Sequence, residues 1–327
     1  KRVKESAPLP FDLGTLQQVC SKKWGMGAQQ VLDVAQSLYE THKATTYPRT
    51  DCGYLPLSML AEVPQVFGAL QQADPALKPL LAQCNIQQKS RVWDDKKITA
   101  HHAIIPTMQP ADISKMNEDE RCVYDLIRRH YLAQFLPLYE VDKTQMQLEC
   151  AGHTLAAAGN VVVTPGWKIL FSEDTGETDE KQSLPRLAKN TQCTVTGANI
   201  RAQKTRPPEH YTEGTLIAAM KNASRFVTDE RLKQRLKESA GLGTEATRAG
   251  IIETLLKRGY IRKEKRHLIA SDSAITLMSM LPDIIKDPGM TALWEQALDD
   301  IAVGKLPLAV FLQKQSVWIS TMVTQAR

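Results

Sequence analysis

The chain has 327 residues, 43% of them apolar and 24% charged, and carries a formal net charge of +5. That length exceeds one ordinary hydrophobic core, so two or three domains are expected, and the composition excludes a disordered or fibrous chain. No run of about eighteen apolar residues occurs, and Lys1-Arg2-Val3-Lys4 lacks the apolar centre of a signal peptide, so no membrane partner is expected, while the charge points mildly to a polyanion.

The six cysteines, Cys20, Cys52, Cys84, Cys122, Cys150 and Cys193, stand singly. Without a CxxC pair or a Cys/His cluster, neither a zinc ribbon nor a disulfide framework is expected, and reduced thiols in a cytoplasmic protein are the simple account. The sequence opens without methionine, which suggests a piece of a longer chain.

Two helices are predicted over residues 12–40. Asp12 or Thr15 caps the first, Gly25 and Gly27 interrupt, and Val31, Val34, Ala35, Leu38 and Tyr39 recur at helical spacing. The chain then reaches Thr46-Tyr47-Pro48-Arg49-Thr50-Asp51. Proline disfavours a helix at the preceding residue, so this segment is predicted to run extended, with Tyr47, Arg49 and Asp51 on one side and Thr46, Pro48 and Thr50 on the other. A phenol beside a guanidinium suits attack on a phosphodiester. Only about one free tyrosine in a thousand is phenolate at neutral pH, a nearby cation favours that form, and a planar guanidinium can grip two phosphate oxygens. Read by chemistry alone, the same dipeptides also suit an ordinary loop.

After Gly53 and Pro56 a helical stretch around Leu57 to Leu70 is expected, broken at Pro64. A polar connection from Gln87 to Thr107 contains His101-His102, where one imidazole could donate to a phosphate oxygen or relay a proton. No third ligand type sits at metal spacing, so a metal role is not expected there. Asn117 with Glu120 forms a capping pair for a helix reaching about Phe135, with an apolar stripe of Val123, Leu126, Ile127, Tyr131 and Phe135. Tyr139 to Phe171, and again Gln192 to Ala202, read as antiparallel β structure, with the acidic stretch Glu173 to Lys181 as a solvated hairpin or loop.

Arg206-Pro207-Pro208 marks a boundary, followed by helices near Thr215–Asn222 and Asp229–Lys237. Gly241-Leu242-Gly243-Thr244-Glu245-Ala246-Thr247-Arg248 then opens another helix, and the backbone N–H groups of a helix start, with a threonine and an arginine, can seat a phosphate; simple capping by Thr244 or Thr247 is the plainer use. Lys257, Arg258, Arg262, Lys263, Lys265 and Arg266 crowd the next helix end and a hairpin at Ile261–Ile269. Three short helices followed by a hairpin resemble a winged-helix module whose basic ridge follows a nucleic-acid backbone. Met290 to Val323 reads as helix, with Trp294 and Trp318 packing. No GxxxxGK[ST] loop occurs, so ATP is not expected as a cofactor.

The segment Thr46-Tyr47-Pro48-Arg49-Thr50-Asp51 resembles the active-site signature of type IA DNA topoisomerases, and its surroundings resemble their bacterial topoisomerase III branch. Matching blocks follow in the same order: Pro8-Leu9-Pro10-Phe11 with Thr15-Leu16-Gln17, Ala100 to Thr107, and Tyr211 to Leu216 leading to Gly243 through Ala249. Cys52 stands where many relatives carry serine. The resemblance implies a multidomain α+β architecture: a mostly helical tyrosine-bearing domain over 1–116, a β-rich arch over 117–205 and a helical winged-helix-like DNA-binding domain over 206–327. It implies a nucleophile at Tyr47, a phosphate clamp at Arg49, and a phosphate contact at His101 with His102 as the fallback. Thr247, Arg248, Lys257, Arg258, Arg262 and Lys263 would touch single-stranded DNA. The cofactor implied is Mg²⁺, held by an N-terminal domain that would precede Lys1, or be a separate chain, without which this one would be inactive in relaxing or decatenating nucleoid DNA. A non-catalytic module that binds single-stranded DNA is the alternative; a relaxase or recombinase would need a histidine cluster or dispersed arginines that the sequence does not offer.

Overall fold

The computed structural model describes residues 1–98, 100–172, 184–185, 187–239 and 241–325. In chain order the regular elements are β1 (Arg2–Glu5), α1 (Leu13–Trp24), α2 (Ala28–Glu40), α3 (Val63–Ala73), α4 (Lys78–Leu81), α5 (Glu118–Leu132), β2 (Tyr139–Cys150) and β3 (His153–Thr164). They continue as α6 (Glu213–Lys221), α7 (Glu230–Glu238), α8 (Arg248–Lys257), β4 (Ile261–Glu264), β5 (His267–Ala270), α9 (Asp272–Met280), α10 (Asp283–Lys286), α11 (Gly289–Ala302) and α12 (Leu308–Gln325). The chain forms two compact units that interleave along the sequence: Lys1–Phe11, Leu38–Thr46 and Cys52–Glu209 make one, and Asp12–Ser37, Tyr47–Asp51 and His210–Arg327 make the other.

In the first unit, β1, β2 and β3 form an antiparallel sheet in that order, with Val3 opposite Val141 and Arg2 opposite Asp142. The long β2–β3 hairpin runs in register from Val141–Val162 to Cys150–His153, after a bulge at Glu140/Val141. Helix α5 starts where the predicted cap lies. The Asn117 side chain accepts from the Glu120 N–H at 2.9 Å, and the Glu120 carboxylate accepts from the Asn117 N–H at 2.8 Å. Its apolar face buries Val123, Ile127 and Tyr131, and Phe67, Tyr131 and Phe135 pack edge-on with ring centroids 5.0–6.4 Å apart. This aromatic cluster lies in the unit's core.

In the second unit, Asp12 caps α1 by accepting from the Thr15 N–H at 2.6 Å, and Gly25 closes the helix in the left-handed conformation at φ 70°. Ala28, Ile217, Met220, Ala249 and Ile252 pack α2, α6 and α8 together, and Ala223, Val227, Leu236 and Ala292 form a second cluster with α7 and α11. Trp294 and Trp318 meet edge-to-face at 5.9 Å, so they pack against each other as expected.

The helical stretch from Leu57 to Leu70 is divided at Pro64 as expected: residues Leu57–Glu62 form a 3₁₀ stretch, and α3 then starts with Pro64 in its first turn, where its missing N–H costs no bond. One expectation of the fold needs correction. Residues 192–202 form no strand; they are exposed and have no ladder partner, and β-branched side chains favour a strand only where a pleated surface can bury them. The acidic stretch Glu173 to Lys181 lies outside the described residues. Among the described residues, no helix is long and apolar enough to cross a membrane.

Candidate active site

Burial alternates along the tyrosine segment as an extended run requires. Tyr47, Arg49 and Asp51 are exposed, Tyr47 by 36%, whereas Pro48 and Thr50 are buried, Thr50 completely. The buried side is pinned: the Leu13 N–H, the first of α1, donates to the Thr50 carbonyl at 3.0 Å. A helix's first amides have no partner within the helix, so α1 has one to give. The phenol and guanidinium are thus presented on the solvent side of a segment whose other side is held.

In the first unit, the residues leading to Tyr47 are also fixed. The Ala44 N–H donates to the Leu38 carbonyl at 2.8 Å, and Lys43 turns the chain at φ 51°. Thr46 is stitched to the stretch after the histidines: its N–H donates to the Ile105 carbonyl at 2.9 Å, and its hydroxyl donates to the Ala103 carbonyl at 3.1 Å and accepts from the Ile105 N–H at 3.0 Å. His42 meets Glu120 of the α5 cap at 3.2 Å. His101 is exposed. His102 is half-buried, and its Nδ1 lies 2.9 Å from the Ala103 carbonyl, so that nitrogen carries the proton and donates it.

In the second unit, a compact charge cluster stands at the start of α1. The Lys221 ammonium, at the end of α6, lies 2.8 Å from Asp12 Oδ2 and 3.2 Å from Glu245 Oε1. Burial pulls this lysine's pKa down, but the charge and hydrogen bond of Asp12, joined by those of Glu245, outweigh it and hold the pKa above the ordinary lysine value. Glu245 is buried against Gly14 so closely that a Cβ there would come within 2.5 Å of Oε2, an oxygen with no hydrogen-bond partner. Arg248 Nη1 completes the cluster at 2.7 Å from Glu245 Oε1. A second carboxylate, Glu213, accepts from the Ala28 N–H of α2 at 2.6 Å and pairs with Lys263 of β4. Each of the two helices thus has a buried carboxylate of residues 210–327 beside its N-terminus, where the helix dipole favours negative charge.

The glycine-rich turn is built from inside. Gly241 and Gly243 hold φ 78° and 68°, and a Cβ at Gly241 would lie 2.4 Å from the Met220 carbonyl oxygen. Thr247 Oγ1 accepts from the Thr244 N–H at 2.8 Å. Arg248, expected to face a strand, is only 1% exposed. Its Nε and Nη2 donate to the Leu242 and Gly243 carbonyls at 3.2 and 2.9 Å, so it plugs the turn and Thr247 is the exposed member of that pair. Lys257, Arg258, Arg262 and Lys263 are all exposed, though Lys257 pairs with Glu253 and Arg262 with Glu264. Sequence reasoning missed Lys221, Glu245 and Glu213. Glu245 three residues before Arg248 was the one available signal for an inward pair; Lys221 carried none.

Among the described residues, no three His, Cys, Asp or Glu side chains stand where they could hold a metal ion. The magnesium that the family resemblance implies therefore has no fitting seat among these residues.

The site is thus defined by an exposed tyrosine and arginine on a pinned extended segment within a mixed helix-and-sheet chain. A DNA topoisomerase family model matches residues 1–313, so the chain belongs to that family. It is 42% identical over 312 residues to DNA topoisomerase 3 of Pasteurella multocida, covering 95% of this chain and 48% of that one. It is 40% identical over 328 residues to the Salmonella typhimurium protein of the same name, covering 100% and 50%. The Bacillus subtilis DNA topoisomerase 3 is 37% identical over 337 residues, covering 99% and 46%. The chain thus spans about half the length of these relatives. Full-length topoisomerase I from Thermotoga maritima shares the fold with a TM-score of 0.66 at 23% identity, covering all of this chain and 52% of that one. The resemblance to type IA topoisomerases noted in the sequence is borne out at the level of family.

Proposed function

We propose that this chain carries the strand-cleaving tyrosine of a type IA DNA topoisomerase acting on single-stranded DNA. The Tyr47 phenolic oxygen attacks the phosphorus, a 5′-phosphotyrosine bond forms and the bond to the 3′ oxygen breaks. The proton given up by the phenol balances the one gained by the 3′-hydroxyl. The new ester conserves the energy of the old, so the freed hydroxyl can reverse the step after strand passage without ATP. Arg49 grips the phosphate oxygens and offsets the charge that builds on them. His101, exposed in the polar connection from Gln87 to Thr107, is the assisting imidazole. Thr247, Lys257, Arg258, Arg262 and Lys263 hold the flanking backbone, and Arg248 serves by shaping the turn beside them. In the domain arrangement we propose, the β2–β3 region is an arch, and α6 to α8 with the β4–β5 hairpin act as a winged-helix-like module; the substrate is DNA in the cytoplasm.

The observation that carries this reading is the exposed Tyr47 and Arg49 on one side of a segment whose alternate residues are buried. Its test is covalent trapping. A single-stranded oligonucleotide labelled on its 3′ side is incubated with the chain combined with the portion of a relative that it does not span, and the linked peptide is mapped. An adduct at Tyr47 is expected, lost in Tyr47→Phe with strand binding retained. An adduct in the phenylalanine variant, or none in the complemented wild type, would leave only a DNA-binding protein.

A further inference from the structure

Within the second unit, the tyrosine segment connects to the glycine-rich turn through a set of polar contacts and one step along the backbone. Thr50 accepts from Leu13, the residue after the cap Asp12. Asp12 uses one carboxylate oxygen for the Thr15 N–H and the other for Lys221. Lys221 also holds Glu245, which Gly14 admits against α1 and which Arg248 ties to the Leu242–Gly243 carbonyls. Two carboxylates and two cations balance. From this geometry we infer that Lys221 is a positioning residue for Tyr47: its ammonium fixes the first turn of α1 and, through Leu13 and Thr50, the presentation of the phenol and guanidinium. The inference deepens the reading of Tyr47 as nucleophile and rests on it for its catalytic consequence.

Lys221 is suited to this because it is a single cation between two carboxylates that belong to different parts of the sequence. Without it Asp12 keeps its bond to the Thr15 N–H and Glu245 its pair with Arg248, but the cation that joins the two carboxylates is gone, and a partly buried carboxylate without its counter-charge moves toward water or takes up a proton. The loosening would begin at the helix start, where Asp12 and Glu245 lie. Local opening of this kind raises amide exchange without global unfolding.

The test compares Lys221→Met, which keeps the aliphatic stem, with Lys221→Arg, which restores a cation. Asp12→Asn serves as a second probe, because asparagine caps a helix as well as aspartate but offers Lys221 no charge. Hydrogen exchange at Leu13 and across Tyr47–Asp51 should accelerate by about tenfold or more in the methionine variant, less in the asparagine variant, and return toward wild type with arginine, while α11 and α12 stay unchanged. In the complemented protein, the rate of adduct formation at saturating oligonucleotide should fall by about tenfold with the affinity held. Wild-type exchange at Tyr47–Asp51 in both Lys221→Met and Asp12→Asn would overturn the positioning role and leave the nucleophile reading intact. An adduct formed by Tyr47→Phe would overturn the nucleophile and leave the coupling measured by exchange standing. General loss of structure in Lys221→Met alone, with Asp12→Asn folded and unchanged at the segment, would also refute it.

Discussion

Position 49 separates two kinds of cation. A guanidinium presents a rigid fork to two phosphate oxygens, whereas an ammonium is a single point charge on a flexible stem. Arg49 is exposed beside the exposed Tyr47, and its neighbours Pro48 and Thr50 are buried, so a substitution at 49 changes chemistry without touching packing. Arg49→Ala is expected to slow adduct formation by about a hundredfold, in line with loss of one transition-state donor, with Arg49→Lys falling between it and wild type. Rapid-quench trapping on a labelled oligonucleotide reads both rates, and equal rates in all three proteins would remove Arg49 from the reaction. The side of the segment that faces solvent was legible because proline sets a local rule and an extended chain alternates. Arg248 was not legible in the same way: a cation beside a glycine-rich turn can meet a ligand or fill the turn, and its burial against the Leu242 and Gly243 carbonyls is a feature of packing that no local rule reports.

At the scale of elements, the starts of α1 and α5 were legible because capping is local chemistry. Asn117 and Glu120 form the reciprocal pair that their spacing suggests, and Asp12 takes the Thr15 amide. The contacts that pin α1 to α6 and α8 join residues about two hundred positions apart, and no periodicity reports such partners. Gly14 is where that long-range packing bears on a single atom. A methyl there would stand 2.5 Å from Glu245 Oε2, and the carboxylate cannot simply swing away because Lys221 and Arg248 hold its other oxygen. Gly14→Ala is therefore expected to destabilise the second unit by about 1–3 kcal/mol, although alanine is the better helix former by up to about 1 kcal/mol. Urea unfolding followed by Trp294 and Trp318 fluorescence measures it; a stabilised variant would show that Glu245 relaxes freely.

Over the whole molecule, the two units differ in which groups resist ionisation. The first unit buries Tyr124, whose phenol is pushed up to about 12 by burial against the smaller opposing pull of Arg128, and Tyr131, whose phenol is also raised by burial and by Glu62. Burial also pushes the Cys84 thiol up to about 11. Each of these groups is neutral when protonated and is held neutral by the fold, so its folded pKa exceeds its unfolded one. The stability it contributes is complete below the unfolded value, about 9 for the thiol and 10 for the phenols, and drains away as pH rises through the folded value. In the second unit Lys221 has a raised pKa for a different reason, its two carboxylate partners, and its contribution starts to fall only above the ordinary lysine value near 10.5. Alkaline titration should therefore weaken the first unit before the second. Far-ultraviolet dichroism combined with hydrogen exchange resolved by segment is expected to show the α5 region losing protection from about pH 9 upward, while the start of α1 keeps its protection until about pH 10.5. In Tyr124→Phe, which cannot ionise, the loss in the α5 region should shift to higher pH; simultaneous loss in both regions, unmoved by that substitution, would show that these buried groups do not set the alkaline limit.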